Sequence, residues 1–166
     1  MLGWKYGVLV GAIDILKGAV VIIGVRLLSE HWRLFSSLDL DLLLYLAGAA
    51  VILGHNFPIY TKFKGGKGTA SIIGVLLALH WPVGLAGLLL LICMTLLTDY
   101  LLVGVLFFYF IFIGASIWTA DGLGPILISA FLFVMASFLH IENVQRLFRK
   151  EEPKISSVIK KKKPSL

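Results

Sequence analysis

The stretch TASIIGVLLALHWPVGLAGLLLLICMTLLT, residues 69–98, decides how many times this chain crosses a membrane. It is too long for one spanning helix, which needs about 20 apolar residues, and it is short for two. The tripeptide HWP at residues 80–82 interrupts the apolar run. Because proline disfavours helical geometry in the residue before it, the pattern predicts two short helices that form a hairpin.

The rest of the chain has the composition of a membrane protein. Of its 166 residues, 59% are apolar and 14% are charged, whereas a soluble domain is nearer half apolar and a quarter charged. Further apolar runs of spanning length cover residues 7–28, 42–60, 101–119 and 123–138. With the hairpin, the sequence predicts an all-α, polytopic membrane helix bundle of six spans.

The distribution of basic residues fixes the predicted orientation. With six spans, twelve of the fifteen Lys and Arg fall on the side that holds both termini. Cytoplasmic segments of membrane proteins carry this excess, so both termini are predicted to be cytoplasmic. The same bias explains the net charge of +6 better than binding to nucleic acid does, and no nucleic-acid partner is expected. We divide the chain into a membrane-embedded domain, residues 1–150, and a basic cytoplasmic tail, residues 151–166. The four lysines at 160–163 are expected to contact anionic membrane lipids.

A basic, glycine-rich segment, KFKGGKGTAS at residues 62–71, stands at a predicted helix boundary. Glycine lets successive backbone N–H groups converge on an anion, and the start of the next helix adds its positive dipole end. The candidate binding residues for a phosphate ester are Lys64, Gly65, Gly66, Lys67 and Gly68. A flexible basic turn is the alternative interpretation. The segment is not a P-loop, which would need glycine at position 61 and Ser or Thr at position 68, where this chain has Thr61 and Gly68.

A second polar cluster, HIEN at residues 140–143, is predicted at the same membrane face. His140 and Asn143 would share one side of a helix, with Glu142 on another. Histidine there could hydrogen-bond a phosphate or act as a general base. A polar helix end with ordinary caps is the alternative interpretation. His55, at the end of the second span, is a candidate support for the glycine segment.

The first span carries Asp14 and Lys17, and ionisable groups inside a span usually pair and face the bundle interior. We expect a structural pair, on a helix stripe with Gly7, Gly11 and Gly18 that permits close helix packing. The one cysteine, Cys93, is expected to pack in the core. No residue spacing indicates a metal site, a cofactor or a protein nucleophile. Because no protein nucleophile is indicated, a group-transfer reaction such as acyl transfer would have to use a hydroxyl of the substrate as the attacking group.

Three stretches together resemble the PlsY-type glycerol-3-phosphate acyltransferases of bacteria: LGWKYGVLVGAIDILKG at 2–18, GHNFPIYTKFKGGKGTAS at 54–71 and HIENVQRLFRKEEPK at 140–154. The resemblance implies transfer of an acyl group from acyl phosphate to the 1-hydroxyl of sn-glycerol 3-phosphate, giving lysophosphatidic acid and phosphate for phospholipid synthesis. It implies a multi-pass protein of the bacterial cytoplasmic membrane whose active face is cytoplasmic, with no cofactor. Residues 65–68 would form the glycerol-phosphate loop, His140 and Asn143 would contact that substrate, and Glu142 would support the loop.

The sequence departs from the family pattern in three places. The family normally has a preceding span and a loop rich in Gly, Ser and Asn that holds the acyl phosphate, and this chain starts after that point. Leu102 and Val105 stand where serines are expected, and Ile141 replaces an arginine. A late start codon and a shortened relative with reduced or lost activity both fit. A small transporter of an anionic metabolite is a further alternative.

Overall fold

The computed structural model describes residues 4–32 and 37–160, with side chains for 6–32 and 39–157. Every regular element in this part of the chain is helical, which confirms the all-α prediction. The elements are α1 Trp4–Trp32, α2 Ser37–Asn56, a 3-10 turn Ile59–Thr61, α3 Thr69–Leu79, α4 Trp81–Thr98, α5 Leu101–Thr119, α6 Leu123–Leu139, α7 Ile141–Phe148 and α8 Ile155–Lys160.

The predicted break at HWP is confirmed. His80 separates α3 from α4 in an extended conformation (φ −150°, ψ 90°), and Pro82 lies in the first turn of α4, where its missing N–H is not needed. The two helices then pack closely, because a Cβ on Gly84 would lie 2.7 Å from the Cα of Leu77.

The six-span count stays a prediction. In the described part of the chain, four helices are long and apolar enough to span a bilayer, namely α1, α2, α4 and α5. A fifth span would combine α6 with α7, which are bent by 55° at their junction. Helix α3 has 11 residues and rises about 16 Å, about half the thickness of the hydrocarbon core.

Interhelical contacts show which helix ends lie together. Helices α1 and α3 run parallel, since Gly18 packs against Ser71 and the Arg26 guanidinium donates to the Leu79 carbonyl (3.0 Å). At the same end as Arg26, the backbone N–H of Asp121 donates to Asp41 (2.7 Å). The glycine segment, the end of α2 and the start of α7 lie at the opposite end, which we call the loop end.

The core is formed where the helices cross, around the fully buried residues Ile22, Ile72, Phe108, Tyr109 and Leu132. Many large apolar side chains remain exposed on the outer surface, as expected for helices that face lipid rather than water. The expectation that Cys93 packs in the core is wrong, because it is exposed on α4. A cysteine in an apolar run can face lipid as readily as protein, so the run alone did not decide its burial.

Glycines allow α1 and α3 to approach closely. A Cβ on Gly74 would lie 1.9 Å from the carbonyl oxygen of Ile15, and one on Gly18 would lie 2.5 Å from the carbonyl oxygen of Ser71. The predicted small-residue stripe of α1 is therefore used at Gly18. Gly7 and Gly11 meet no atom within 4 Å among the described residues, so the packing face is shorter than predicted.

Candidate functional site

The glycine segment folds back on the end of α2. After the 3-10 turn, Lys62 and Phe63 adopt left-handed conformations (φ 55° and 61°), which reverse the chain. The N–H of Gly65 then donates to the Asn56 carbonyl (3.1 Å), and the N–H of Gly66 donates to the His55 carbonyl (3.2 Å). These bonds satisfy carbonyls that the end of a helix leaves without partners, so the last turn of α2 determines where the segment lies.

Three glycines in this segment occupy positions where a side chain does not fit. A Cβ on Gly65 would lie 2.2 Å from the His55 carbonyl oxygen, and one on Gly66 would lie 2.1 Å from His55 Nε2. Gly68 has a φ of 77°, and a Cβ there would lie 2.7 Å from Asn56 Oδ1. The sequence GGKG therefore permits contact between the loop and α2 that larger residues would prevent.

Helix α3 begins directly after Gly68, with its first turn at the loop end. Its first described helical bond runs from the N–H of Ile72 to the Gly68 carbonyl (2.9 Å). The N–H groups of Lys67, Gly68 and Thr69 make no hydrogen bond within the described part of the chain. Free amides and the positive end of the helix dipole make this turn suitable for an anion.

Lys67 joins this segment to α7. Its ammonium group donates to Asn143 Oδ1, across 76 residues of sequence. Asn143 Nδ2 in turn donates to Glu152 Oε1 (2.7 Å), and Arg146 Nε donates to Glu152 Oε2 (3.1 Å). The two polar clusters that the sequence analysis placed at one membrane face are therefore in direct contact, through a chain of four charged or amide side chains.

His140 lies beside this chain, at the bend between α6 and α7. The residue is 7% exposed, and neither ring nitrogen makes a hydrogen bond to another described residue. Burial lowers the pKa of His140 to about 4, and the positive charge of Lys67 acts in the same direction, while Asn143 and Glu152 oppose the shift. The imidazole is therefore neutral at pH 7, with one nitrogen available as a donor and the other as an acceptor.

A second polar group connects α1 to the glycine segment. Lys17 Nζ lies 2.6 Å from Asp14 Oδ1 and 2.6 Å from His55 Nδ1, and His55 Nδ1 lies 3.3 Å from Asp14 Oδ1. The other ring nitrogen of His55 faces Gly66. The predicted pairing of Asp14 with Lys17 is confirmed, and the pair also holds the histidine against the loop.

The remaining sequence candidates lie farther from these contacts. Lys64 and Glu142 are both exposed, so anion binding by Lys64 and loop support by Glu142 stay predictions. No signal in the sequence pointed to Glu152, and Arg146 entered the predictions only as a basic residue. The spacing of three residues from Asn143 to Arg146 predicts a shared helix face, but Glu152 belongs to a segment assigned to the tail.

The boundary at residue 150 between domain and tail stays a prediction, although residue 152 contacts the site. Of the basic run at 160–163, only the Lys160 backbone falls within the described residues.

Together, the helices and the loop define a multi-pass α-helical membrane protein with a basic glycine loop at one end of its bundle. The family model described as glycerol-3-phosphate acyltransferase matches residues 1–150 of the chain. The chain therefore belongs to the glycerol-3-phosphate acyltransferase family.

Individual relatives agree with this assignment. The chain is 42% identical over 162 residues to glycerol-3-phosphate acyltransferase 1 of Oceanobacillus iheyensis, an alignment that covers 98% of this chain and 77% of the relative. It is 32% identical over 158 residues to the glycerol-3-phosphate acyltransferase of Thermoanaerobacter sp. (strain X514), covering 93% of this chain and 73% of the relative.

Solved structures show the same architecture. The fold matches the crystal structure of PlsY (YgiH), an integral membrane glycerol 3-phosphate acyltransferase, in its glycerol 3-phosphate form, with a TM-score of 0.81 and 26% identity over 98% of this chain and 77% of that chain. The lysophosphatidic acid form matches with a TM-score of 0.76 and 28% identity over 92% and 74% of the two chains.

Proposed function

We propose that this chain transfers a fatty acyl group from acyl phosphate to the 1-hydroxyl of sn-glycerol 3-phosphate, producing lysophosphatidic acid and inorganic phosphate. The family assignment carries the acyltransferase class and glycerol 3-phosphate as the acceptor. The acyl-phosphate donor follows from the resemblance of the three motifs to the PlsY type. The excess of Lys and Arg at the loop end supports an active face on the cytoplasmic side of a bacterial cytoplasmic membrane.

The glycine loop is proposed to bind the phosphate of glycerol 3-phosphate. Lys67 supplies a full positive charge, and the free N–H groups of Lys67, Gly68 and Thr69 supply donors at the start of α3. Because the N–H groups of Gly65 and Gly66 bond to α2, these two glycines shape the loop instead of donating to the ligand. Lys64 adds charge from the exposed side of the loop.

His140 and Asn143 are proposed to orient the attacking hydroxyl. A neutral imidazole with an unbonded acceptor nitrogen can accept a hydrogen bond from that hydroxyl and take up its proton as the new ester forms. The hydroxyl oxygen attacks the acyl carbonyl carbon, and the carbon–oxygen bond to the phosphate breaks. Phosphate leaves with both electrons of that bond and can accept the proton. No covalent enzyme intermediate is needed, because the donor is already activated.

The contact of Lys67 with Asn143, beside the buried His140, is the observation that carries this proposal. A transporter would instead place polar groups at mid-membrane. The Asp14–Lys17 pair, a partly buried ionisable pair of the kind that could gate a transporter, contacts His55 at the loop end.

The test uses proteoliposomes that contain the 166-residue chain, palmitoyl phosphate and radiolabelled glycerol 3-phosphate. We expect labelled lysophosphatidic acid from the wild type and about a hundredfold less from Lys67→Ala, since a charged contact to phosphate is removed. The matched control is Lys154→Ala, which removes the same charge from an exposed position and should retain wild-type turnover. Label that enters the vesicles without product would instead indicate a transporter. Equal activity of the two variants would contradict the role of Lys67.

A further inference from the structure

We propose that Glu152 is a positioning residue for acyl transfer, because it fixes the amide of Asn143 so that the amide oxygen faces Lys67. This inference rests on the proposed function, which assigns Lys67 and Asn143 to the glycerol 3-phosphate site. Glu152 lies beyond the residues that the family model matches, which end at 150.

The chemistry of the asparagine side chain makes its orientation matter. An amide has an acceptor oxygen on one side and a donor NH₂ on the other, and rotation by half a turn exchanges them. Lys67 is only a donor, so it requires the oxygen of Asn143. The ionised carboxylate of Glu152 is only an acceptor, so it requires the NH₂ group, which it receives at 2.7 Å. With both partners present, one orientation of the amide satisfies every group.

The local backbone holds the Glu152 carboxylate against α7. Lys150 has a left-handed conformation (φ 59°), which turns the chain back at the end of the helix. The N–H groups of Glu151 and Glu152 then both donate to the Arg146 carbonyl (2.8 and 3.2 Å). Arg146 Nε also binds the second carboxylate oxygen, and the Glu152 side chain is only 10% exposed. The carboxylate is thus fixed from two directions.

The chain is anchored again at Ile155 and Ser156, which bond to the turn between α4 and α5. The N–H of Ile155 donates to the Asp99 carbonyl (3.0 Å). Ser156 donates to the Asp99 carboxylate twice, through its N–H (2.8 Å) and its hydroxyl (2.6 Å). We call residues 150–156 the strap, since one end is bonded to α7 and the other to the turn between α4 and α5. The strap keeps Glu152 within reach of Asn143.

Removing the carboxylate would free the amide of Asn143 to rotate. In the rotated state, its NH₂ group would face the ammonium of Lys67, which would leave two donors opposed and Lys67 without its acceptor. The defect would affect the glycerol 3-phosphate site, to which Lys67 and Asn143 belong. We therefore expect Glu152→Ala to raise the KM for glycerol 3-phosphate about tenfold and to leave the KM for acyl phosphate unchanged.

The experiment compares Glu152→Ala with Glu151→Ala, which removes the same charge from the neighbouring exposed residue. Asn143→Ala and the double variant Asn143→Ala/Glu152→Ala complete a mutant cycle. Each purified protein is measured twice: by turnover of palmitoyl phosphate, and by the thermal stabilisation that glycerol 3-phosphate alone produces. Glu152→Gln keeps an acceptor oxygen for Asn143 and loses only the negative charge that faces Arg146, so it should retain wild-type glycerol 3-phosphate binding. Weakened binding by Glu152→Gln would contradict the inference even if Glu152→Ala does not purify as a monodisperse protein.

If Glu152 acts through Asn143, Glu152→Ala weakens glycerol 3-phosphate binding, Glu151→Ala does not, and the double variant is no worse than Asn143→Ala alone. The inference would be overturned if Glu152→Ala bound glycerol 3-phosphate as tightly as the wild type. It would also be overturned if the double variant lost binding by the product of the losses caused by Asn143→Ala and Glu152→Ala separately. An equal rise in both KM values would also overturn it, since that pattern indicates a general loss of structure. If the wild type turns over no acyl phosphate but glycerol 3-phosphate still stabilises it, the proposed donor is wrong. The thermal stabilisation of the variants by glycerol 3-phosphate then still decides the role of Glu152.

Discussion

Replacing Gly65 with alanine tests whether the close fit of the glycine loop on α2 positions Lys67. The new Cβ would lie 2.2 Å from the His55 carbonyl oxygen and 2.7 Å from that of Asn56, whereas ordinary contact begins near 3.4 Å. These two obstacles are backbone atoms of α2, and a third, Pro58 Cδ, would lie 2.5 Å away, so the loop itself must move, by about 1 Å. The movement would strain the bonds from the N–H groups of Gly65 and Gly66, each of which contributes about 1 kcal/mol.

The expected loss follows from that displacement. A 1 Å misplacement of a positioning group costs roughly a hundredfold in rate, which corresponds to about 2.7 kcal/mol of transition-state stabilisation. We therefore expect Gly65→Ala to lower kcat/KM for glycerol 3-phosphate about a hundredfold. The thermal midpoint should fall by no more than a few degrees, because only the two strained loop bonds are affected and the core is not.

The matched control is Gly54→Ala, in the same part of the chain. A Cβ on Gly54 would meet nothing within 4 Å, and alanine favours the helix by up to about 1 kcal/mol. The assay follows lysophosphatidic acid formation by both purified variants in nanodiscs, alongside thermal unfolding. If Gly65→Ala retains kcat/KM within twofold of Gly54→Ala, contact between loop and helix does not position the catalytic groups, and the reasoning fails.

Two further predictions concern charge and packing. The pKa of His140 is about 4 in the folded protein and about 6.5 when unfolded, so the unfolded state binds more protons between these values, and the free energy of unfolding should fall as pH drops from about 6.5 towards 4. Lys67→Met should raise the pKa of His140 and weaken this dependence, as measured by histidine NMR titration; an unchanged pKa would exclude Lys67 as a cause. Gly74→Ala should destabilise the bundle by about 1–3 kcal/mol, because its Cβ would overlap the backbone of Ile15. Gly114→Ala, with open space around it inside α5, should not lower the midpoint of thermal unfolding and can raise it, because alanine favours the helix.

Much of the fold could be predicted because it depends on local chemistry. The length of the apolar runs indicated the spanning helices, and Pro82 indicated the break at His80, since proline acts on the residue next to it. The pairing of Asp14 with Lys17 followed from a spacing of three residues on one helix. Helix α3 was harder, because an 11-residue apolar helix carries no sequence signal for whether it crosses the membrane.

In the candidate site, too, local features could be predicted from the sequence and contacts between distant residues could not. The sequence by itself determined that glycines and lysines precede α3, and that a histidine and an asparagine follow α6, because these features are local. Only the tertiary structure decided that Lys67 meets Asn143, since the helices between them bring together residues 76 positions apart. It also decided that the Glu152 carboxylate lies against Asn143, a contact that depends on a chain reversal at Lys150 and an anchor at Asp99. No periodicity encodes such a contact, because a loop residue is placed by its hydrogen bonds to distant elements.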